Sequence, residues 1–340
     1  MPSGLDQLFA AAAKAGASDI HLAVGSPVVF RIDGDLVEQG KKALTATDLE
    51  RAVRGVLGAE RFKEFAQKLE MDSAYAVGDV RLRVNCHYEK GVPGLAARII
   101  PQEIPGIADI GLATVAPSLC NLTDGLVLFT GPTGSGKSTS LAAIIQQINQ
   151  ERSEHIVTLE DPVEFLFPEG KGIIRQRQYG SDFLSFPEAL KHVLRQDPNI
   201  VMVGEMRDLE TIAAALTIAE TGHLVFATLH TPNAVQTVDR IVDVFPPHQQ
   251  QQVRIQLSLA LKAIVAQRLL PKVGGGRVAQ REILVMNPAV GHIIRDNRSQ
   301  ELKSVLQTGR DTGMTTFEND AKRLLKEGLI SKETWEWARV

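Results

Sequence analysis

The residues from Gly131 to Ser138, GPTGSGKS, have the spacing of a loop that binds phosphate groups. Its glycines permit backbone conformations that turn N–H groups towards an anion, Lys137 can reach β- and γ-phosphates, and Ser138 offers a hydroxyl to Mg²⁺. The apolar run Leu126–Phe129 predicts a strand before the loop, and the spacing in 138–150 predicts a helix after it. This context predicts a nucleotide and Mg²⁺ site. Its predicted contacts are Gly131, Thr133, Gly134, Ser135, Gly136, Lys137, Ser138 and Thr139.

Such a loop needs acidic partners for the metal and for an attacking water. The segment NIVMVGEMRD predicts a strand that ends before Glu205, which we interpret as the general base. Many related loops pair with an aspartate one position earlier, where this chain has Gly204, so direct metal coordination there is not expected. The strand His155–Leu159 ends before Glu160, which we expect to orient a water or to meet the metal through water. A surface acid after a strand is the alternative for Glu205.

Two histidines flank a third predicted strand, TGHLVFATLHT. His223 precedes this strand, and His230 follows it at a position from which it could sense a γ-phosphate. Isolated histidines are more often hydrogen-bonded structural residues than ligands. No further ligands stand at zinc spacing.

The whole chain has an ordinary composition, with 340 residues, 44% hydrophobic, 23% charged and a net charge of −3. This length allows two domains with substantial cores, and the charge argues against nucleic acid as a partner. The cysteines, Cys86 and Cys120, are too far apart in sequence for a disulfide framework or a zinc site. We expect a cytoplasmic protein, because no apolar run approaches the ~20 residues that span a bilayer and no signal-peptide pattern opens the chain.

Periodicity divides the chain into a mixed α+β domain at 1–100, a linker at 101–111 that is rich in proline and glycine, and a domain at 112–340. Strands and helices alternate in the third segment, which predicts a mainly parallel sheet. Beyond Pro246 the pattern is mostly helical, apart from a hairpin around the glycines at 274–276. In the first domain, alternation places Arg81 and Arg83 on one face of a strand.

Several segments together resemble the secretion ATPases of the PulE/GspE superfamily and, within it, the PilT-type ATPases that retract type IV pili. They are SDIHL, FRIDGDL, GPTGSGKSTSLAA, TLEDPVEF, VLRQDPNIVMVGEMRD, ETGHLVFATLHT, DRIVDVFP and TFENDAKRLLKEGLIS. In such proteins a glycine before the catalytic glutamate is usual. The resemblance implies an α/β fold, with a smaller PAS-like α+β domain before a RecA-like ATPase domain.

The resemblance also implies ATP as the nucleotide, a homohexameric ring, and an inner-membrane platform protein of the pilus as the partner that mediates any membrane contact. It implies Glu205 as the catalytic base, Glu160 as a second catalytic acid, His230 as a catalytic histidine and His223 as a contact of the nucleotide. Three arginines of the first domain, Arg81, Arg83 and Arg98, are implied to stabilise phosphate charge across a subunit interface. Arg195 and Arg207 are further candidates for phosphate or interface contacts.

One stretch departs from the family pattern. Retraction ATPases usually carry AIRNLIRE, a motif tied to retraction rather than to hydrolysis, where this chain has AVGHIIRD at Ala289–Asp296. A PilU-like accessory pilus motor therefore stays open. So do a DNA-translocating ring ATPase and a scaffold that binds nucleotide without hydrolysing it. Extension and secretion ATPases fit less well, since they usually have a longer N-terminal region and a four-cysteine zinc module.

Overall fold

The computed structural model of the chain describes residues 4–100 and 103–339. The chain divides into two compact units, Met1–Glu103 and Ile104–Val340. Pro101 and Gln102, with which the predicted linker begins, lie outside the described residues. No helix of the described part is both long and apolar enough to cross a membrane.

The first unit is an antiparallel sheet of six strands with two helices, and its strand order is β3-β2-β1-β6-β5-β4. Its elements are α1 (Gly4–Lys14), β1 (Ala17–Leu22), β2 (Val28–Ile32), β3 (Asp35–Gln39), α2 (Ala46–Lys68), β4 (Glu70–Val77), β5 (Val80–Glu89) and β6 (Val92–Ile100). Both helices pack on one face of the sheet, where they share a core with Leu82, Val84 and Cys86 of β5. The alternate residues of β5 therefore point to the other face.

Helix α2 covers two segments in which the sequence predicts separate helices. A capping box between Thr45 and Asp48 starts it, and Gly58 interrupts it with a φ of 72°. The strand β4 is not predicted, because its inward residues include Ser73 among apolar neighbours and its outward residues include alanines.

The second unit is a seven-stranded sheet with helices on both faces, in the order β13-β12-β7-β11-β10-β8-β9. Every neighbouring pair is parallel except β12 with β13. Its strands are β7 (Gly125–Thr130), β8 (His155–Glu160), β9 (Ile173–Gln178), β10 (Ile200–Val203), β11 (Leu224–Leu229), β12 (Leu261–Pro271) and β13 (Arg277–Val285). Its helices are α3 (Ala116–Cys120), α4 (Lys137–Glu151), α5 (Phe186–Val193), α6 (Leu209–Glu220), α7 (Ala234–Asp243), α8 (Pro247–Ala260), α9 (Pro288–Arg295), α10 (Leu302–Thr308), α11 (Phe317–Lys326) and α12 (Lys332–Ala338).

The strands that precede the chemical motifs lie in the middle of this sheet. All residues of β7, β10 and β11 are buried. Helices α3 and α4 pack on one face, whereas α5 to α10 contribute to the core on the other. Such strands are continuous apolar runs because both faces are covered, which is why they are predicted well.

The C-terminal part of the second unit is less helical than the sequence predicts. The hairpin expected around the glycines at 274–276 exists, but its strands have 11 and 9 residues. Strand β12 joins the main sheet parallel to β7 and thereby brings the hairpin beside the phosphate loop. The edge strand β9 is also unpredicted, since Arg175, Gln176, Arg177 and Gln178 make it polar.

Candidate nucleotide site

The loop at 131–136 connects the end of β7 to the start of α4, as predicted. Its backbone adopts positive φ angles at Gly131 (140°), Gly134 (77°) and Gly136 (84°), which other residues rarely take. A Cβ on Gly131 would lie only 2.1 Å from the carbonyl oxygen of Gln267 in β12. The loop therefore requires glycine both for its conformation and for its close packing against the neighbouring strand.

Lys137 lies at the first position of α4 and is 8% exposed. Its Nζ donates hydrogen bonds to the carbonyl oxygens of Gly131 (2.8 Å) and Pro132 (3.1 Å). Burial lowers the pKa of Lys137, while the carboxylates of Glu205 and Glu164 act in the opposite direction. A cation thus lies against the loop, where phosphate oxygens could replace the carbonyl oxygens as acceptors. Ser138 and Thr139 follow it in the first turn of α4, and both are partly exposed.

Glu205 lies just beyond β10 and accepts two charge-assisted hydrogen bonds. Arg207 Nη2 donates to Glu205 Oε2 at 2.8 Å, and His230 Nε2 approaches Glu205 Oε1 at 2.9 Å. Burial raises the pKa of Glu205, but the hydrogen bond from Arg207 and the charge of His230 outweigh it and bring the pKa below its usual value. Glu205 is therefore ionised at neutral pH, as a proton acceptor must be.

The glycine before Glu205 has a steric explanation in the sheet. Gly204 N donates to Leu159 O of β8 at 2.8 Å, and the Thr228 hydroxyl of β11 donates to Gly204 O. A Cβ on Gly204 would lie 3.1 Å from Leu159 O and 3.2 Å from the Cα of Glu160. A larger residue here would press on β8, so an aspartate at this position would require β8 to shift by a few tenths of an ångström.

Glu160 ends β8 and is 6% exposed. Thr158 Oγ1 donates to Glu160 Oε1 at 2.6 Å, and Gln176 Nε2 donates to the same oxygen at 3.0 Å. Burial raises the pKa of Glu160, and these hydrogen bonds only partly oppose it. Gln176 was not predicted as a site residue, because it belongs to the unrecognised strand β9.

The oxygen groups at the candidate site determine whether Mg²⁺ fits there. Among the described residues, no group of three or more His, Cys, Asp or Glu side chains is placed to hold a metal ion. Mg²⁺ commonly keeps several waters and takes only one or two protein oxygens besides those of substrate phosphates. One hydroxyl from Ser138, with Glu160 and Glu205 acting through water, is a donor set of that kind.

The two predicted site histidines lie at opposite ends of the central strand β11. His230 follows β11 and contacts Glu205, whereas His223 precedes β11. The main chain of His223 accepts a hydrogen bond from the N–H of Gly125 at the start of β7, and its ring lies 3.2 Å from the Thr221 hydroxyl. Since six residues of strand extend about 20 Å, His223 is remote from the loop of its own chain. The predicted nucleotide contact of His223 remains a prediction, and within one subunit the ring lies about one strand length from the loop.

The two further arginine candidates lie in different surroundings. Arg207 pairs with Glu205, whereas Arg195 lies in a short 3₁₀ turn, Leu194–Gln196, that leads into β10. The structure thus places only Arg207 beside a predicted catalytic residue.

The arginines of the first unit share one exposed sheet face. Arg83 of β5 is paired directly with Arg98 of β6, and Arg81 lies two residues before Arg83. Arg98 Nε donates to Asp19 Oδ1 at 2.7 Å, and Arg83 Nη2 lies 3.8 Å from Asp72 Oδ2. These acids hold the guanidinium groups without burying them, and a role of the three arginines at a phosphate remains a prediction.

Comparison with known proteins identifies the family. The type II/IV secretion system protein family matches residues 106–336. The chain belongs to this family. The type IV pilus retraction ATPase PilT of Pseudomonas aeruginosa is 43% identical over 97% of this chain and 96% of its own length. The type IV pilus ATPase PilU of the same species is 37% identical over 96% of this chain and 86% of its own length.

A solved structure extends the likeness to three dimensions. The crystal structure of the pilus retraction motor PilT with bound ADP matches with a TM-score of 0.90 and 43% identity, over 99% of this chain and 97% of that one. The resemblance to PilT-type ATPases is thereby confirmed, as is the α/β fold class with a RecA-like domain after a smaller α+β domain.

Proposed function

We propose that this protein is an ATP-hydrolysing motor that powers the retraction of type IV pili. One observation carries the enzymatic part. Three adjacent strands of the sheet, β7, β11 and β10, end at the phosphate loop, His230 and Glu205, respectively. The three features therefore lie together at the carboxyl ends of these strands. The 43% identity to a retraction ATPase over nearly the whole chain supports the pilus assignment. The lower identity to PilU favours retraction over an accessory role.

The residues at this edge divide the chemistry between them. The loop N–H groups and Lys137 bind the phosphates of ATP, and Lys137 exchanges loop carbonyl oxygens for phosphate oxygens as it does so. Ser138 would hold Mg²⁺, which supplies positive charge against the β- and γ-phosphates. Glu205 accepts a proton from the attacking water, and Arg207 and His230 fix the direction of its carboxylate. Glu160, held by Thr158 and Gln176, orients solvent on the other side of Gly204.

The active assembly is proposed to be a ring of six copies, in which Arg81, Arg83 and Arg98 of one copy approach the phosphates bound by another. Arginine suits this task because its planar donors match phosphate oxygens in pairs. A ligand shifts an equilibrium between two geometries only by its differential affinity for them. The difference between ATP and ADP binding would therefore drive the changes in ring geometry.

The mechanical output is proposed to reach an inner-membrane platform protein, so that pilin subunits leave the base of the fibre. The protein itself would be cytoplasmic and would meet the membrane only through that partner. A DNA-translocating ring is disfavoured, because the net charge is −3.

The enzymatic part is tested by steady-state ATP hydrolysis with the purified full chain. Glu205→Gln is expected to lower kcat by about 10²–10⁴-fold while ADP still binds, because it removes the proton acceptor and leaves the phosphate loop intact. Asp208→Asn is the matched control. It makes the same carboxylate-to-amide change three positions away, where Asp208 caps α6 and asparagine caps equally well. Hydrolysis by Glu205→Gln at the wild-type rate would refute the assignment.

A further inference from the structure

Two polar residues of the β12–β13 hairpin are buried beside the phosphate loop. Gln267 of β12 and Arg281 of β13 are direct partners in the antiparallel register. Their exposed fractions are 1% and 3%. Burying a polar side chain costs free energy unless hydrogen bonds inside the protein replace those it made with water. The hydrogen bonds of this buried pair therefore indicate its role.

Gln267 lies against both ends of the loop. Its Nε2 donates to the carbonyl oxygen of Ser135 at 2.7 Å. Its main-chain oxygen lies so close to Gly131 that it leaves no room for a Cβ, and its amide nitrogen would be 3.2 Å from a Cβ on Gly136. Three of the loop's residues thus lie against one residue of the neighbouring strand, one of them against its main chain and two against its side chain.

Arg281 holds the helix that follows the loop. Its Nη2 donates to the Ser140 hydroxyl at 3.2 Å, and its Nη1 donates to Gly111 O at 3.4 Å. Its main-chain N–H donates to Asp320 Oδ2 of α11 at 2.7 Å. Burial lowers the pKa of Arg281 to about 10, so the guanidinium is still charged at neutral pH. A buried charge contributes little net stability. The hydrogen bond to Ser140 ties Arg281 of β13 to the first turn of α4.

We propose that Gln267 and Arg281 are positioning residues that hold the phosphate loop and the first turn of α4 in the shape that binds ATP phosphates. Neither residue needs to touch the nucleotide. The loop donors must be aligned before the ligand arrives, and the pair supplies that alignment from the adjacent strands. The inference rests on the proposed function of the loop.

Gln267→Glu is the most direct variant. It keeps the shape of the side chain but turns the donor facing Ser135 O into an acceptor and adds negative charge beside a phosphate site. Gln280→Glu is the matched control on the same hairpin. Gln280 is also fully buried, and its amide donates to Phe317 O at 2.6 Å and to Ala338 O at 3.0 Å, which belong to the C-terminal helices rather than to the loop.

The measurements are the Kd for ADP, and KM and kcat for ATP, on the full chain. For Gln267→Glu, the Kd and KM are expected to rise by about tenfold or more with kcat changed less than about threefold. For Gln280→Glu, the Kd for ADP and the KM for ATP are expected to stay within about twofold of wild type, even if its melting temperature changes. An unchanged KM in Gln267→Glu, or an equal rise in both variants, would overturn the proposal.

A milder pair of variants covers the case in which Gln267→Glu does not fold. Ser140→Ala removes the acceptor through which Arg281 holds α4, leaving its bond to Gly111 O, and is expected to weaken ADP binding by about threefold or more. Ser258→Ala is the control, because the Ser258 hydroxyl accepts an equivalent hydrogen bond from Arg295 Nη1 at 3.2 Å, far in sequence from the phosphate loop. This variant should leave ADP binding unchanged. Equal ADP binding by both serine variants would contradict the positioning role. A wild-type chain that binds no ADP would instead refute the proposed function itself.

Discussion

His230 Nε2 lies 2.9 Å from Glu205 Oε1, and this contact joins the ends of two adjacent strands, β11 and β10. The phosphate loop follows β7 on the other side of β11. His230 therefore lies between the strand that leads into the phosphate loop and the strand that carries the proposed base. A group in this position can respond to bound phosphate and change the charge environment of Glu205 in the same step.

The first prediction follows from the electrostatics of that contact. His230 helps to hold the pKa of Glu205 below its usual value against the effect of burial. In His230→Ala, the pKa of Glu205 should rise, so the fraction of ionised base should fall as the pH is lowered. The ratio of variant to wild-type kcat/KM for ATP is expected to decrease steadily from pH 8 to pH 5.

The control for this prediction is His223→Ala, at the opposite edge of the sheet. Its ratio to wild type should not change with pH in the same interval. A His230→Ala ratio that is constant from pH 8 to pH 5 would show that His230 does not tune the base.

The second prediction concerns the contact of Gly204 with β8. Gly204→Ala adds only a Cβ, which would lie 3.1 Å from Leu159 O, so β8 must shift by a few tenths of an ångström. We expect the melting temperature to fall by about 2–10 °C, which corresponds to about 1–3 kcal/mol of overpacking in a unit of this size. Thermal unfolding followed by circular dichroism measures the change.

Gly55→Ala is the matched control for Gly204→Ala. Gly55 lies within α2, and a Cβ there would be at an ordinary 3.5 Å from Leu5. This change should be neutral or stabilising, because alanine is the better helix former. If both alanine variants melt at the wild-type temperature, the steric account of Gly204 is wrong.

The third prediction tests whether the arginines act between subunits. Arg83→Ala and Lys137→Ala should each lower hydrolysis strongly on their own. The first loses positive charge at the phosphates, and the second loses a phosphate contact within the loop. Mixed rings of the two should recover part of the activity, because a Lys137→Ala copy can present an intact Arg83 to the intact loop of its neighbour.

The measurement for this prediction is ATP hydrolysis as a function of the mixing ratio. Arg31→Ala is a suitable control, since Arg31 is a partly buried arginine of the same unit that donates to Gly34 O. Rings that contain Arg31→Ala copies alone should remain active. Mixtures of Arg83→Ala and Lys137→Ala with no more activity than the sum of the separate variants would argue against action across an interface.

The sequence predicts the central strands and the phosphate loop well because these features are local. A strand buried on both faces is visible in the sequence as a continuous apolar run, and a backbone position with a positive φ is visible as a glycine. The separation of His223 from His230 can also be deduced from the sequence, because His223 precedes the strand that His230 follows. The family pattern alone groups the two histidines together.

The contacts that hold the site are non-local and therefore were not predicted. Gln176 supports Glu160 from the polar edge strand β9, and Gln267 supports the loop from a strand that begins 130 residues after Gly131, at Leu261. The one available signal for Gln267 is its place as an isolated amide in the apolar run KAIVAQRLLP. A pattern of that kind reveals a buried polar residue but not the partner that it binds.

The role of this protein as an ATP-driven retraction motor is tested by pilus retraction in cells that lack it and are complemented with wild type, Lys137→Ala or Glu205→Gln. Retraction events of labelled pili and the number of surface fibres are to be counted. We expect hyperpiliated cells without retraction, rescued by the wild type and by neither variant. Normal retraction in the deletion strain, or rescue by Lys137→Ala, would contradict an ATP-driven retraction motor.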